Sequence, residues 1–192
     1  MKNIILASNS PRRIEMLSKY FKNIKVCPSD IFENINELDL PQTTVMKIAF
    51  EKAIKAYVTC EDKGLIIAAD TVVFLDKIMG KPTDFQDGFS MLKFLSGKTH
   101  SVFTGICLID SETGKKIVDY EETFVEFNEL DDDFINKYLN TEEYIDKAGA
   151  YGIQGYGELL VKKINGCYNN VKGLPITKLN ELMTKHFSQK LL

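Results

Sequence analysis

The chain has 192 residues, 44% of them hydrophobic and 27% charged, with a formal net charge of −3. This is a globular composition with material for a core and length for one domain of ordinary size or two closely joined lobes. The slight acidity excludes general nucleic-acid binding, which needs a broad basic surface, and no apolar run approaches the ~20 residues of a membrane span.

The first element is a short strand, Ile4-Ile5-Leu6, followed by the Ser-rich turn Ala7-Ser8-Asn9-Ser10. Ile14, Leu17 and Phe21 then recur at helical spacing, with Ser10 as N-cap and Pro11 at the first helical position. Arg12 and Arg13 fall in the first helical turn, where the macrodipole is already positive. Two cations there, beside free N–H groups and the hydroxyls of Ser8 and Ser10, suit a phosphate. The plainer alternative is that both arginines pair with surface carboxylates.

Ile24-Lys25-Val26-Cys27 reads as a second strand, and residues 28–41 as a polar, acidic loop carrying Glu33 and Glu37 beside a site. Residues 44–60 read as a helix with Lys47, Glu51 and Lys55 exposed and Met46, Ala49, Phe50, Ala53 and Tyr57 facing the core. Lys52 then falls at the margin of the apolar face, either snorkelling to water or reaching inward to a phosphate. Leu65-Ile66-Ile67-Ala68-Ala69 is the continuous apolar run of a strand buried on both faces. Asp70 and Thr71 interrupt it before Val72-Val73-Phe74 resumes. A carboxylate in such a run is costly unless it meets a metal, a cation or several donors, so Asp70 is the leading functional candidate.

Asp76-Lys77 turns a hairpin whose return, Ile78-Met79-Gly80, brings Lys81 beside Asp70's strand. Thr83 and Gln86 form a capping box for a helix ending at Ser96-Gly97. Residues 100–109 and 116–127 are strands of an antiparallel hairpin, and Asp131-Asp132-Asp133 favours a helix start rather than a metal site. Four glycines between Gly149 and Gly157 mark a loop admitting close approach, within which Gln154 could read a nucleobase edge with its two donors and one acceptor. Leu159-Leu160-Val161 returns as strand, and Ile176, Leu179, Leu182 and Met183 form the buried stripe of a last helix. Cys27, Cys60, Cys107 and Cys167 lack zinc spacing and are expected as reduced thiols, and His100 and His186 as structural residues. With no signal peptide after Met1-Lys2, a cytoplasmic location is expected.

The motifs LASNSPRR at the start, EKA around Lys52, AADTVV around Asp70, GKP at 80–82, SGKTHSVFTG at 96–105, KAGAYGIQGYG at 147–157 and GLP at 173–175 occur in order over nearly the whole chain. Together they closely resemble the Maf family. The resemblance implies one α/β domain over residues 1–192, with a mixed, elongated twisted sheet, flanking helices and two lobes around a central cleft. It further implies a nucleoside triphosphate pyrophosphatase that uses a divalent cation, and a homodimer. Family members are connected with removal of noncanonical nucleotides and with arrest of septum formation. The family's proton acceptor falls on Asp70 and its substrate-selective positions on Arg12, Thr71 and Gln154, a trio similar to the branch acting on dTTP and UTP. The branch acting on 7-methyl-GTP carries tryptophan where Arg12 stands. Lys172 departs from the apolar residue usual before Gly-Leu-Pro.

Residues and resemblance converge on one expectation. Arg12, Arg13, Lys52 and Lys81 hold a triphosphate, and Ser8 binds phosphate. Asp70, aided by Glu33, coordinates Mg²⁺ or Mn²⁺ and orients or deprotonates the attacking water. Gln154 and Thr71 read a pyrimidine edge. The catalytic set is thus Asp70, Lys52 and Lys81, with no nucleic-acid or membrane partner. Two alternatives stay open: the same chemistry on a purine triphosphate, and a nucleotide-binding regulator of cell division without turnover.

Overall fold

The computed structural model describes residues 2–29, 31–33, 35 and 39–192, so Glu37 lies outside the described residues. Its strands are β1 (Ile4–Leu6), β2 (Ile24–Val26), β3 (Leu65–Leu75), β4 (Lys77–Met79), β5 (Thr99–Asp110), β6 (Lys116–Phe127) and β7 (Val161–Asn165). They form one mixed seven-stranded sheet in the order β2-β1-β3-β5-β6-β7, with β4 added to β3. The helices are α1 (Pro11–Ser18), α2 (Pro41–Thr59), α3 (Phe85–Leu95), α4 (Asp132–Leu139), the single turn α5 (Tyr168–Val171) and α6 (Ile176–Phe187).

The long strand β3 organises the rest. On one edge β5 pairs with it from Leu65 to Phe74 without a break, setting Asp70 opposite Gly105 and Thr71 opposite Thr104. On the other edge β1 runs parallel only as far as Leu6 opposite Ile67, and β4 joins antiparallel only from Val73. Residues 68–72 therefore have no strand neighbour on that edge among the described residues. Because side chains alternate along a strand, Asp70 and Thr71 point to opposite faces at this gap.

Apolar side chains pack on both sides of the sheet and on both sides of the gap. Met16 and Leu17 of α1 and Leu179 and Met183 of α6 cover the face showing Leu65, Ile67 and Ala69. Ala49, Ala53 and Ala56 of α2 cover the opposite face, which shows Ile66 and Ala68. Beyond the gap, a further cluster joins Val73 and Met79 to Leu92 and Leu95 of α3, Phe127 of β6 and Ile135 of α4. These clusters are the two lobes expected, joined through β3, β5 and β6.

Several local expectations change. Val45, Ile48 and Ala56 are fully buried while Tyr57 is exposed, so the apolar face of α2 is rotated and Lys52 lies on it, not at its margin. The helix is broadly apolar, and its charged residues alone do not fix the rotation. The cap of α3 is Asp84, whose carboxylate accepts from Asp87 N, while Asp87 accepts from Thr83 N; Gln86 takes no part. Ser10 occupies the N-cap of α1, but its side chain makes no capping bond. Leu159 and Leu160 end a 3₁₀ turn (Gly155–Leu160) instead of opening β7. Asp131 caps α4 by accepting from Phe134 N, as the acidic run suggested.

Candidate active site

A cavity of about 510 Å³ opens at the gap beside β3, and its walls include Ser8, Arg12, Arg13, Glu33, Lys52, Asp70, Thr71, Lys81 and Gln154. Every residue singled out in the sequence for chemistry or binding thus lines one space. The turn after β1 supplies Ser8 and α1 the arginines. Lys52 comes from α2, Asp70 and Thr71 from β3, Lys81 from the segment after β4, and Gln154 from the glycine-rich loop.

At the centre, Lys52 Nζ lies 2.6 Å from Asp70 Oδ1 and 2.6 Å from Glu33 Oε1. Asp70 is 5% exposed and Lys52 9%, and Glu33 is half-buried, so this is an ion triad closed at its Asp70 side with carboxylates in excess. Burial is the largest influence on Asp70 and raises its pKa; Lys52 and Arg13 oppose it, and the like charge of Glu33 adds to it. For Glu33 burial also raises, but Lys52, Lys81 and Arg13 outweigh it and hold the carboxyl below its usual value. Two hard oxygen donors meeting at one cation suit a small divalent ion that keeps waters and takes further oxygens from a ligand. Among the described residues no group of three or more His, Cys, Asp or Glu side chains could hold a metal unaided.

Arg13 is locked in place: Nε donates to Gly173 O at 2.7 Å, one terminal nitrogen to Ser8 Oγ at 3.3 Å and the other to Thr71 Oγ1 at 3.1 Å. Ser8 Oγ also accepts from Ser10 N at 3.2 Å. Both contacts use its lone pairs, which leaves the hydroxyl proton to donate into the cavity. Thr71 continues inward to Thr104 at 2.9 Å, and Thr104 donates to Asn170 O at 3.0 Å. Arg12 takes a different direction. Burial lowers its pKa, while the charge of Asp146 acts in opposition. Arg13 is thus fixed by Ser8, Thr71 and Gly173, while the charged neighbour acting on Arg12 is Asp146.

Gly149 has φ +64°, and a Cβ there would lie 2.8 Å from Val73 Cγ2, so this position needs glycine. Gly149 N donates to Gly80 O at 3.0 Å, tying the glycine-rich loop to the residue before Lys81. Tyr151, also in the wall, places its hydroxyl 2.7 Å from His100 Nε2.

Sequence reasoning missed Asp146, Lys147 and the Gly173 carbonyl. Lys147 and Gly173 belong to quoted motifs, but nothing in their spacing gives them a task. Lys172, the departure from the family pattern, is buried in the cavity wall and donates to Glu15 Oε1 at 3.2 Å. A lysine is accommodated there because Glu15, on α1, takes its charge.

A mixed sheet broken along one edge, with six cationic side chains and a buried carboxylate lining the cavity at the break, defines a cleft suited to a polyanion and holding a potential base. The chain belongs to the Maf family: the model of the family described as Maf-like protein matches residues 3–186. Relatives named dTTP/UTP pyrophosphatase occur in Alkaliphilus oremlandii, 48% identical over all of both chains, and in Clostridioides difficile, 48% identical over 97% of this chain and 96% of its own. A third with that name, from Ruminiclostridium cellulolyticum, is 45% identical over 96% of each chain.

Proposed function

We propose that the chain is a nucleoside triphosphate pyrophosphatase that hydrolyses dTTP and UTP to the monophosphate and pyrophosphate. The observation that carries this reading is the triad of Lys52, Asp70 and Glu33 lying in one cavity with Arg12, Arg13, Lys81 and Gln154. A pure nucleotide sensor needs the cations but not a buried carboxylate of raised pKa beside them. The names of relatives 42–48% identical support the substrate pair.

In this reading the triphosphate lies across the gap with its α-phosphorus toward Asp70. Asp70 orients a water and accepts its proton; the water oxygen forms a bond to the α-phosphorus as the bond to the bridging oxygen breaks and pyrophosphate leaves. The raised pKa makes the Asp70 carboxylate a stronger base than an exposed one. Lys52 holds that carboxylate in place and offsets its charge. Arg13, Lys81 and Ser8 meet the charge that develops on the leaving pyrophosphate. Asp70 and Glu33 would hold Mg²⁺ or Mn²⁺, which supplies Lewis-acid polarisation and lowers the pKa of bound water. Gln154, Thr71 and Arg12 read the pyrimidine. The same reading has the enzyme working in the cytoplasm as a homodimer, without nucleic-acid or membrane partners; no helix of the described residues is long and apolar enough to cross a membrane.

The test is pyrophosphate release with Mn²⁺ from an equal-concentration panel of dTTP, UTP, dCTP, ITP and 7-methyl-GTP. The two uracil-type substrates should be turned over fastest. Asp70→Asn should lower kcat by about 10³ or more with nucleotide binding retained. Equal turnover by the Asn variant refutes the base, and preference for a purine refutes the substrate assignment.

A further inference from the structure

The loop carrying Gln154 is held from behind by a residue that does not line the cavity. Glu143 lies in the turn after α4, and its two carboxylate oxygens accept from the backbone N–H groups of Tyr156 and Gly157, each at 3.2 Å. These follow Gln154 by two and three residues. Between them and Gln154, Gly155 has φ +64°, and a Cβ there would lie 2.2 Å from Glu143 Oε1. The carboxylate is thus pressed against the inside of the bend. On the other side of Gln154, Tyr138 Oη accepts from Gly152 N at 3.3 Å. A Cβ on Gly157 would sit 2.0 Å from Gly152 O, so residues 152 and 157 touch and Gln154 stands at the head of a closed loop. The turn holding Glu143 also contains Asp146, whose charge acts on Arg12, and Lys147 Nζ donates back to Glu143 O.

We propose that Glu143 is a positioning residue for nucleobase selection: by forking onto Tyr156 N and Gly157 N it fixes the bend that aims Gln154 into the cavity. The inference rests on the reading of Gln154 as the residue that reads the base edge. Fixing the side chain matters because a donor–acceptor pair discriminates only when both atoms meet the base edge within hydrogen-bond distance. A carboxylate suits the task, since it accepts at both oxygens, whereas a carboxamide turns N–H groups toward one of the two donors. The occupant selected is a pyrimidine with an N3–H donor and a carbonyl acceptor, as in thymine and uracil.

The test compares Glu143→Gln and Glu143→Ala with the parent, alone and in a Gln154→Ala background. Hydrogen exchange at the amides of Tyr156 and Gly157 should accelerate about tenfold or more in Glu143→Ala and less in Glu143→Gln. KM for dTTP should rise about tenfold, with kcat within about threefold of the parent, and the preference for dTTP over dCTP should narrow. In the Gln154→Ala background the substitution at 143 should have no further effect on that preference. Faster amide exchange with an unchanged dTTP/dCTP preference overturns the proposal and leaves the pyrophosphatase reading intact. So does a fall in kcat at constant KM, which would indicate a general loss of folding. A parent chain that turns over no triphosphate overturns the functional reading instead, whatever the exchange rates. The conservative Gln variant, nearly the shape of Glu143, keeps the comparison valid if the Ala variant fails to fold.

Discussion

Replacing Gly105 with alanine should move the helix that carries Lys52. Gly105 lies on β5 directly across from Asp70, and its missing side chain leaves room for the α2 backbone. A Cβ there would be 2.3 Å from Val45 O, 2.4 Å from Val45 C and 2.8 Å from Met46 N. All three are main-chain atoms of one helix, so no rotamer change relieves the clash. Ordinary contact begins at 3.4 Å, so α2 must retreat by about 1 Å. Lys52 is seven residues further along the same rigid rod, about 10 Å at 1.5 Å per residue, and retreats with it. Its 2.6 Å contacts with Asp70 and Glu33 then lengthen. Overpacking of this kind costs about 1–3 kcal/mol, and a displacement of about 1 Å at reacting groups costs about 10² in rate. Thermal melting should show a loss of roughly 2–4 °C per kcal/mol for a chain of this length, and pyrophosphate release from dTTP a fall of about 10² in kcat/KM. A variant with parental Tm and kcat/KM within about threefold would refute the reasoning, because α2 would then owe its position to something other than this contact.

Lys52→Met leaves two carboxylates facing each other in a buried space; it should cost about 3–5 kcal/mol in chemical denaturation, and adding Asp70→Asn should restore much of that loss. Arg13→Lys keeps the charge but cannot reach Gly173 O, Ser8 Oγ and Thr71 Oγ1 together, so KM for dTTP should rise about tenfold or more in steady-state assays. Burial lowers the pKa of His100 from 6.5 to about 4, so the fold holds this imidazole neutral. The resulting stability, about 3 kcal/mol, is fully present above pH 6.5 and is lost as pH falls through about 4. His100→Gln can still bond the Tyr151 hydroxyl but cannot titrate, so its denaturation midpoint should fall less steeply than the parent's between pH 7 and 4.5.

The site was legible because its chemistry conflicts with its surroundings. Asp70 in an aliphatic strand and two arginines at a helix N-terminus each violate a local preference, which marks a place where charged partners must be gathered. Lys52 was harder to place: its helix is apolar on much of its circumference, and only the packing of α2 against β3 and β5 fixes the inward direction. Glu143 was not legible at all. An acidic residue in a polar turn gives no periodic signal, and its task depends on two main-chain N–H groups thirteen and fourteen residues away. The gap beside β3 was also hidden, since it arises from where β1 ends and β4 begins, a property of pairing and not of any one segment.

The carbonyl of Gly173 that receives Arg13 joins positions 160 residues apart, and β3 between them supplies Asp70 and Thr71 to the same cavity. Eight of the nine side chains first named in its wall come from residues 8–81, but the main-chain acceptor that fixes Arg13 comes from far along the chain. A chain cut before Gly173 keeps Asp70, Lys52 and both arginines while losing one of the three contacts that hold the Arg13 guanidinium. Such a shortened chain should bind a nucleoside triphosphate more weakly than the parent, a loss that equilibrium titration reads directly.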